Sequence, residues 1–152
     1  RPKESDNFAI NALSMLAGVL DSVFGALNMA GWLIGGFAIF VGIFSVANIM
    51  FVSVKERTGM IGIKKALGAK KPVILLEFLI ESIILCILGG IFGLIFVKLL
   101  LFAAAESMPF PIYLSWANVI FGVSLSIAIG IISGFIPAFQ AAKLDPVEAM
   151  RH

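Results

Sequence analysis

The chain has 152 residues, of which 61% are hydrophobic and 13% charged, and its formal net charge is +2. Soluble domains are about 45–50% apolar and about 25% charged, so eleven basic and nine acidic side chains are too few to cover a soluble surface. The mean hydropathy of +1.09 also excludes a disordered chain. We therefore predict an all-α integral membrane protein.

The first predicted element is an amphipathic helix in residues 1–28, capped by Ser5 or Asp6. Apolar side chains recur there at steps of three and four residues, with polar ones mostly between them. A helix lying flat on the outer leaflet would usually show a Lys/Arg-rich polar face, which is missing, so we predict a stalk that precedes the first span. Its apolar positions are Phe8, Leu13, Leu16, Leu20, Val23 and Leu27.

Three stretches are long and apolar enough to cross a membrane, for which about 20 residues are needed. The third stretch is free of charge from Ser107 to Ala142, and its core lies at residues 116–136, before Pro137. We therefore predict three transmembrane helices, two loops and a tail. Their boundaries are residues 29–54, 72–102 and 116–136 for the spans, 55–71 and 103–115 for the loops, and 137–152 for the tail.

The positions of Lys and Arg predict the orientation of these spans. The second loop carries no basic residue, whereas the first loop carries many against Glu56 alone. The positive-inside rule then places the first loop and the tail in the cytoplasm, with the stalk and the second loop outside. Trp32, Tyr113 and Trp116 fall at the outer interface, where aromatic residues are enriched. The basic residues of the first loop are Lys55, Arg57, Lys64, Lys65, Lys70 and Lys71.

Small residues recur at intervals of four in each predicted span. This spacing lets helix backbones approach closely in lipid, so we predict helix-packing faces at these positions. The alternative is that glycine is simply commoner in membrane helices. The positions are Gly31 and Gly35 in the first span, Gly89 and Gly93 in the second, and Gly122, Ser126, Gly130 and Gly134 in the third.

The sequence contains no motif for catalysis, nucleotide binding or metal binding. It lacks the Gly-Lys-Ser/Thr of a P-loop, its one histidine is His152, and Cys86 lies in an apolar run as a packing residue would. Glu77 and Glu81 form a carboxylate pair, which suggests a proton relay. Their place near Lys70–Lys71 and the positive end of a helix favours a structural role instead. We expect no enzymatic activity, catalytic residue, metal or cofactor in this chain.

The first loop is predicted to contain a short amphipathic helix at Gly59–Leu67. Ile61 and Leu67 are expected on one side of it and Lys64–Lys65 near another, with Gly68 as the C-terminal cap. Such a helix can transmit movement between a cytoplasmic partner and the spans. The alternative is a basic patch that touches anionic lipid headgroups.

The string NIMFVSVKERTGMIGIKKALGA at residues 48–69 resembles the signature of the FtsX/MacB-type permease domain of bacterial ABC transporters. The resemblance extends over about residues 8–152. Further matching strings are FLIE at 78–81, GGIFG at 89–93, Gly134-x-x-Pro137, Ala141–Ala142 and LDPVEA at 144–149.

The resemblance implies a permease with four spans and a large extracytoplasmic domain between the first and second, of which this chain would hold the last three spans and the stalk. It also implies a homo- or heterodimer in the bacterial inner membrane, with the N-terminus of this segment outside and the C-terminus cytoplasmic. The implied partner is a fused or separate ABC ATPase, which would bind ATP and Mg²⁺. A periplasmic adaptor is a further candidate, and no nucleic-acid partner is expected.

By the same resemblance, the loop helix docks on the ATPase. The family often has an acidic residue in place of Met60 and a basic one in place of Gly59, so an ionic contact is either lost here or replaced by an apolar one. Gly59 also weakens the helix start by about 1 kcal/mol relative to Ala. The implied coupling residues are Glu56, Arg57, Ile61, Gly62, Ile63, Lys64, Lys65, Ala66, Leu67, Gly68 and Ala69.

Two functions are compatible with the resemblance. The first is a permease that converts ATPase closure into stalk motion and so exports or extracts an antibiotic, peptide, toxin or lipoprotein. The alternative is an FtsX-like transducer that activates an extracytoplasmic cell-wall hydrolase without transport. The glycine-rich first span and the stalk favour the MacB-like exporters. A channel formed by the spans alone is disfavoured, because no polar face runs the length of any helix.

Overall fold

The computed structural model describes residues 3–105, 114–145 and 147, and within them the chain forms four α-helices and no strand. This confirms the predicted all-α fold class. Tyr113, most of the second loop, and the end of the tail with His152 lie outside the described residues. The helices are α1 (Lys3–Glu56), α2 (Thr58–Ala66), α3 (Lys71–Ala105) and α4 (Trp116–Lys143).

Three segments are long and apolar enough to cross a membrane: Ile10–Glu56, Lys71–Ala105 and Trp116–Lys143. Most of their large apolar side chains are exposed, among them Phe92 at 71% and Phe102 at 74%. Such a surface is unfavourable in water and suits a lipid environment. The chain is therefore a membrane protein with three candidate spans, as predicted.

The N-terminal compact unit comprises Arg1–Phe40. Its described residues are helical, and none of its described side chains is buried. The predicted cap at Ser5 or Asp6 is wrong, because α1 already includes both residues. Ser and Asp are also tolerated within the first turn, so their identity alone does not fix where a helix begins.

The C-terminal compact unit comprises Val41–His152 and is built on the packing of α3 against α4. Their backbones approach closely at Gly130, where an added Cβ would lie 2.7 Å from the Ile83 Cα atom. The Ser82 hydroxyl crosses between the helices and donates a hydrogen bond of 2.9 Å to the Gly130 carbonyl. Small residues on α4 thus permit the close contact that lipid-embedded helices need.

All four helices contribute to one buried cluster in this unit. Its side chains pack the end of α1 and the inner side of α2 against the start of α3 and the end of α4. The cluster therefore fixes the position of α2 relative to the ends of three candidate spans. Its members are Met50, Val54, Ile61, Ile74, Phe78, Ala138 and Ala141.

Helix α4 is longer than the predicted span at residues 116–136, because it continues through Pro137 to Lys143. Proline removes one backbone hydrogen bond and bends a helix, and membrane helices tolerate it where neighbouring helices enclose it. Here Pro137 is fully buried, and the next turn buries Ala138 and Ala141 in the core. That packing favours continuation of the helix.

Candidate functional site

Helix α2 follows α1 after a break of a single residue. The Arg57 amide donates to the Ser53 carbonyl at 3.1 Å, as in α1, and the Arg57 carbonyl accepts from the Ile61 amide at 3.0 Å, as in α2. The Thr58 hydroxyl also donates to the Val54 and Lys55 carbonyls of α1. The start of α2 is thus bonded to the end of α1.

A glycine cap ends α2. Gly68 has φ +95°, a left-handed conformation that glycine adopts without steric cost. Its amide donates to the Lys65 carbonyl and the Ala69 amide donates to the Lys64 carbonyl, each at 3.0 Å. These two bonds form a Schellman motif, and they confirm the predicted cap at Gly68.

The inner and outer sides of α2 differ from the prediction. Ile61 is 3% exposed and belongs to the core, but Leu67 is 84% exposed. A separation of six residues turns a helix through about 600°, so Ile61 and Leu67 point in different directions. The expectation that they share one side was wrong.

Two ion pairs join Arg57, the residue before α2, and Lys64 of α2 to α3. The Arg57 guanidinium donates two hydrogen bonds of 3.2 Å to the Glu81 carboxylate, and the Lys64 ammonium lies 2.6 Å from a Glu77 oxygen. Glu77 and Glu81 are one turn apart on α3, so α2 is held at two successive positions. The structural interpretation of these carboxylates is supported, but their partners are Arg57 and Lys64 rather than Lys70–Lys71.

Lys65 joins α2 to the end of α4. Its ammonium group donates to the Ala142 carbonyl at 2.6 Å and to the Leu144 carbonyl. The last carbonyls of a helix have no partner within the helix, and a lysine is well suited to bind them. Burial and the nearby Lys71 charge lower the pKa of Lys65, while Asp145 acts in the opposite direction.

The amino-acid sequence that contains α2 is similar to the sequences of known proteins. The sequence model described as the FtsX-like permease C-terminal domain matches residues 32–146, which is most of the chain. The chain belongs to the FtsX-like permease family. Its sequence is that of an ABC transporter permease of the FtsX/MacB type.

Similar proteins include the ABC transporter permease YknZ of Bacillus subtilis, which is 39% identical over 97% of this chain and 37% of its own length. The macrolide export ATP-binding/permease protein MacB of Psychrobacter cryohalolentis is 39% identical over 96% of this chain and 22% of its own length. MacB of Rhodopirellula baltica is 34% identical over 95% of this chain and 21% of its own length. The chain thus spans between about a fifth and two fifths of these relatives.

In this FtsX-like permease segment, α2 presents an apolar outer face. Met60, Ile63 and Leu67 are 56%, 53% and 84% exposed. They follow steps of three and four residues, which places them along one side of the helix. Sequence reasoning missed this face because it paired Leu67 with the buried Ile61.

The residues that the resemblance assigned to coupling fall into three groups. Arg57, Lys64 and Lys65 bind α3 or α4 through their charged groups. Ile61 and Gly62 are buried, and Ala69 is half-buried. The third group is exposed and takes no part in these charged contacts or in the core. Its members are Glu56, Ile63, Ala66, Leu67 and Gly68.

The small residues of the permease spans divide by helix. On α4, added Cβ atoms at Gly122, Gly130 and Gly134 would contact Leu94, Ile83 and Ser82 of α3. On α3 the small residue in contact is Gly90, which faces Ser126. At the predicted positions Gly31, Gly35, Gly89 and Gly93, an added Cβ would meet no atom of the described residues within 4 Å, apart from its own stretch of helix.

Proposed function

We propose that this segment transmits the closing motion of an ABC ATPase across the bacterial inner membrane, and that the whole permease uses this motion to export or extract a substrate. Helix α2 would be the coupling helix. ATP and Mg²⁺ would bind to the ATPase, whether fused or separate. The names of the MacB relatives support a macrolide-like substrate for the whole transporter.

The observation that carries this proposal is the two-sided arrangement of α2. The helix is attached to α3 by the ion pair of Lys64 and, at its start, by that of Arg57, and it is attached to α4 by Lys65. Its outer side is exposed and apolar at Met60 and Leu67. A force applied to the outer side would therefore displace the ends of two candidate spans together.

The arrangement also suggests the chemistry of the ATPase contact. The charged groups of Lys64 and Lys65 already bind groups within the chain. The outer face offers Met60, Ile63 and Leu67 instead, whose burial in a partner groove would be favourable by about 1.5–3 kcal/mol for each side chain fully covered. We therefore assign the contact to these apolar side chains, with Glu56 at its edge.

The proposal also covers the orientation of the chain in the membrane and its partners outside the cytoplasm. We place residues 1–28 outside as a stalk, the loop at 55–71 in the cytoplasm, and the tail on the cytoplasmic side, following the positive-inside rule. The described side chains of the stalk segment are exposed, including Phe8 at 79%. A second permease protomer, with Gly31 and Gly35 at the contact, and a periplasmic adaptor are the proposed partners of this part.

Reconstitution of the full-length transporter into vesicles tests this function. ATP-dependent movement of a macrolide, peptide or lipoprotein out of the membrane or across it would support an exporter or extractor. ATP-dependent activation of a cell-wall hydrolase, without movement of any such substrate, would establish the alternative transducer. Transport that proceeds at the same rate without ATP would contradict both.

A further inference from the structure

A basic depression lies where α3 begins and α4 ends. It has a volume of about 360 Å³ and is lined by Lys65, Ala69, Lys71, Lys143, Leu144 and Asp145. Three lysines and one aspartate thus line it. The depression is separate from the outer face of α2, because none of Met60, Ile63 and Leu67 lines it.

The lysines of this depression are held in place differently. Lys65 is bound to carbonyls at the end of α4. The Lys143 ammonium lies 4.5 Å from the centre of the Phe139 ring, a cation–π contact that restrains it. Lys71 is the first residue of α3 and is exposed. Burial and, to a smaller extent, repulsion from Lys71 lower the pKa of Lys65, and a bound anion would relieve that repulsion.

An apolar track leads from this depression along α4. The Phe139 ring beneath Lys143 stacks on Phe135, with ring centres 6.1 Å apart. Both rings are exposed, at 42% and 50%. They lie near the end of a helix that is long and apolar enough to cross a membrane, where exposed aromatic rings are available to contact a lipid chain.

We propose that the depression binds the phosphate of an anionic phospholipid, with an acyl chain along Phe139 and Phe135. Lys71 and Lys143 would contact the phosphate oxygens. Lys65 would stay bound to the carbonyls at the end of α4 and attract the phosphate by its charge. Basic pockets between membrane helices recognise anionic headgroups in this way. The adjoining aromatic track favours a phospholipid over free phosphate or an acidic peptide, neither of which needs an apolar surface.

Native mass spectrometry of the full-length protein from mixed phosphatidylglycerol and phosphatidylcholine nanodiscs tests the site. The informative variant is Lys71→Gln with Lys143→Gln, which leaves Lys65 and the end of α4 intact. Its matched control is Lys55→Gln with Lys70→Gln, which removes two exposed lysines that do not line the depression. We expect selective retention of phosphatidylglycerol to fall roughly fivefold per pocket lysine in the first variant and to persist in the control.

Other outcomes would overturn the proposal. Equal losses in both variants would show diffuse attraction of the basic surface to anionic lipid. Displacement of phosphatidylglycerol by millimolar inorganic phosphate, with no effect of Phe139→Ala, would show a free-phosphate site. Loss of the co-purifying ATPase in the first variant, with lipid retention unchanged, would assign the depression to the ATPase. Retained helicity and elution volume of each variant exclude misfolding as the cause.

Discussion

Arg57 and Glu81 form a two-pronged ion pair at the point where three helices meet. Arg57 is the single residue between α1 and α2, and both of its terminal nitrogens lie 3.2 Å from the carboxylate of Glu81 on α3. Its backbone meanwhile bonds to Ser53 in α1 and to Ile61 in α2. A displacement of α2 must therefore either move α3 or break this pair.

The first prediction is that this pair matters more for coupling than for stability. Both side chains are partly exposed, so Arg57→Glu should lower the free energy of unfolding by no more than about 1 kcal/mol beyond local repulsion. Substrate moved per ATP hydrolysed should fall at least about fivefold, the usual lower range for a lost coupling interaction. The measurement is the transport-to-hydrolysis ratio in reconstituted vesicles.

The charge-swapped double variant provides the control for this pair. Arg57→Glu with Glu81→Arg can re-form the ion pair in the opposite sense, so it should recover much of the lost ratio. Lys55→Glu, in the last turn of α1, makes the same charge change without touching Glu81 and should leave the ratio near the parent value. The assignment would be contradicted if the charge swap did not restore the transport-to-hydrolysis ratio and Lys55→Glu lowered that ratio as much as Arg57→Glu does.

The second prediction concerns the apolar face of α2. Leu67→Asp places a charge on the most exposed apolar side chain of that helix, so ATPase retention during purification should fall about tenfold or more, since burial of a leucine contributes roughly 1.5–3 kcal/mol. Ala66→Asp introduces the same charge at the neighbouring exposed position, about 100° around the helix. Ala66→Asp should therefore reduce ATPase retention less than Leu67→Asp does. Equal retention by Leu67→Asp and the parent would argue against an apolar contact.

The third prediction separates the glycines that pack within the chain from those that do not. Gly130→Ala forces a Cβ to 2.7 Å from the Ile83 backbone, so the helices must separate, at a cost of about 1–3 kcal/mol in the free energy of unfolding. Gly89→Ala meets nothing within 4 Å and gains helix propensity, so it should be neutral or slightly stabilising. Denaturant titration in mild detergent compares the two. Equal destabilisation would contradict the α3–α4 contact described here.

The fourth prediction concerns Lys65. Lys65→Met leaves the carbonyls of Ala142 and Leu144 without their donor, so it should lower the free energy of unfolding by about 1–3 kcal/mol. Lys64→Met removes only a partly exposed ion pair with Glu77 and should cost at most about 1 kcal/mol. Thermal unfolding of both variants gives the comparison. A larger loss for Lys64→Met would contradict the role given to Lys65.

The lowered pKa of Lys65 predicts a change of stability with pH. Between its folded pKa and the ordinary lysine value of about 10.4, the unfolded chain binds more protons than the folded chain. Stability should therefore rise with pH through this alkaline window and be lowest, for this group, below it. The contribution of Lys65 is obtained at each pH by subtracting the free energy of unfolding of Lys65→Met from that of the parent. If this difference in the free energy of unfolding fell with rising pH in the alkaline window, the explanation would be refuted.

Local chemistry made part of the fold predictable. Hydropathy and length were enough for the three candidate spans, and the Gly68 cap followed from a rule that involves only neighbouring residues. The end of α4 was missed because continuation through Pro137 depends on packing against other helices. The start of α1 was missed because Ser and Asp mark several positions of a first turn equally well.

The attachments of α2 could not be predicted from the sequence pattern. Arg57 and Glu81 are separated by 24 positions, and Lys65 and Ala142 by 77, so no local spacing links either pair. The choice between Gly89 and Gly90 likewise depends on how α3 is rotated against Ser126. The apolar face of α2, however, could have been predicted from the sequence, since Met60, Ile63 and Leu67 have ordinary helical spacing.

Photo-cross-linking from position 67 tests the central claim most directly. A photoreactive amino acid replaces Leu67 in the full-length protein, the cells are irradiated, and the attached molecule is identified by mass spectrometry. The same substitution at Phe102, exposed on α3, is the control and should label lipid. An adduct with an ABC ATPase at position 67 is the predicted result. Adducts with lipid alone at both positions would show that α2 faces the membrane and would contradict its role as the coupling helix.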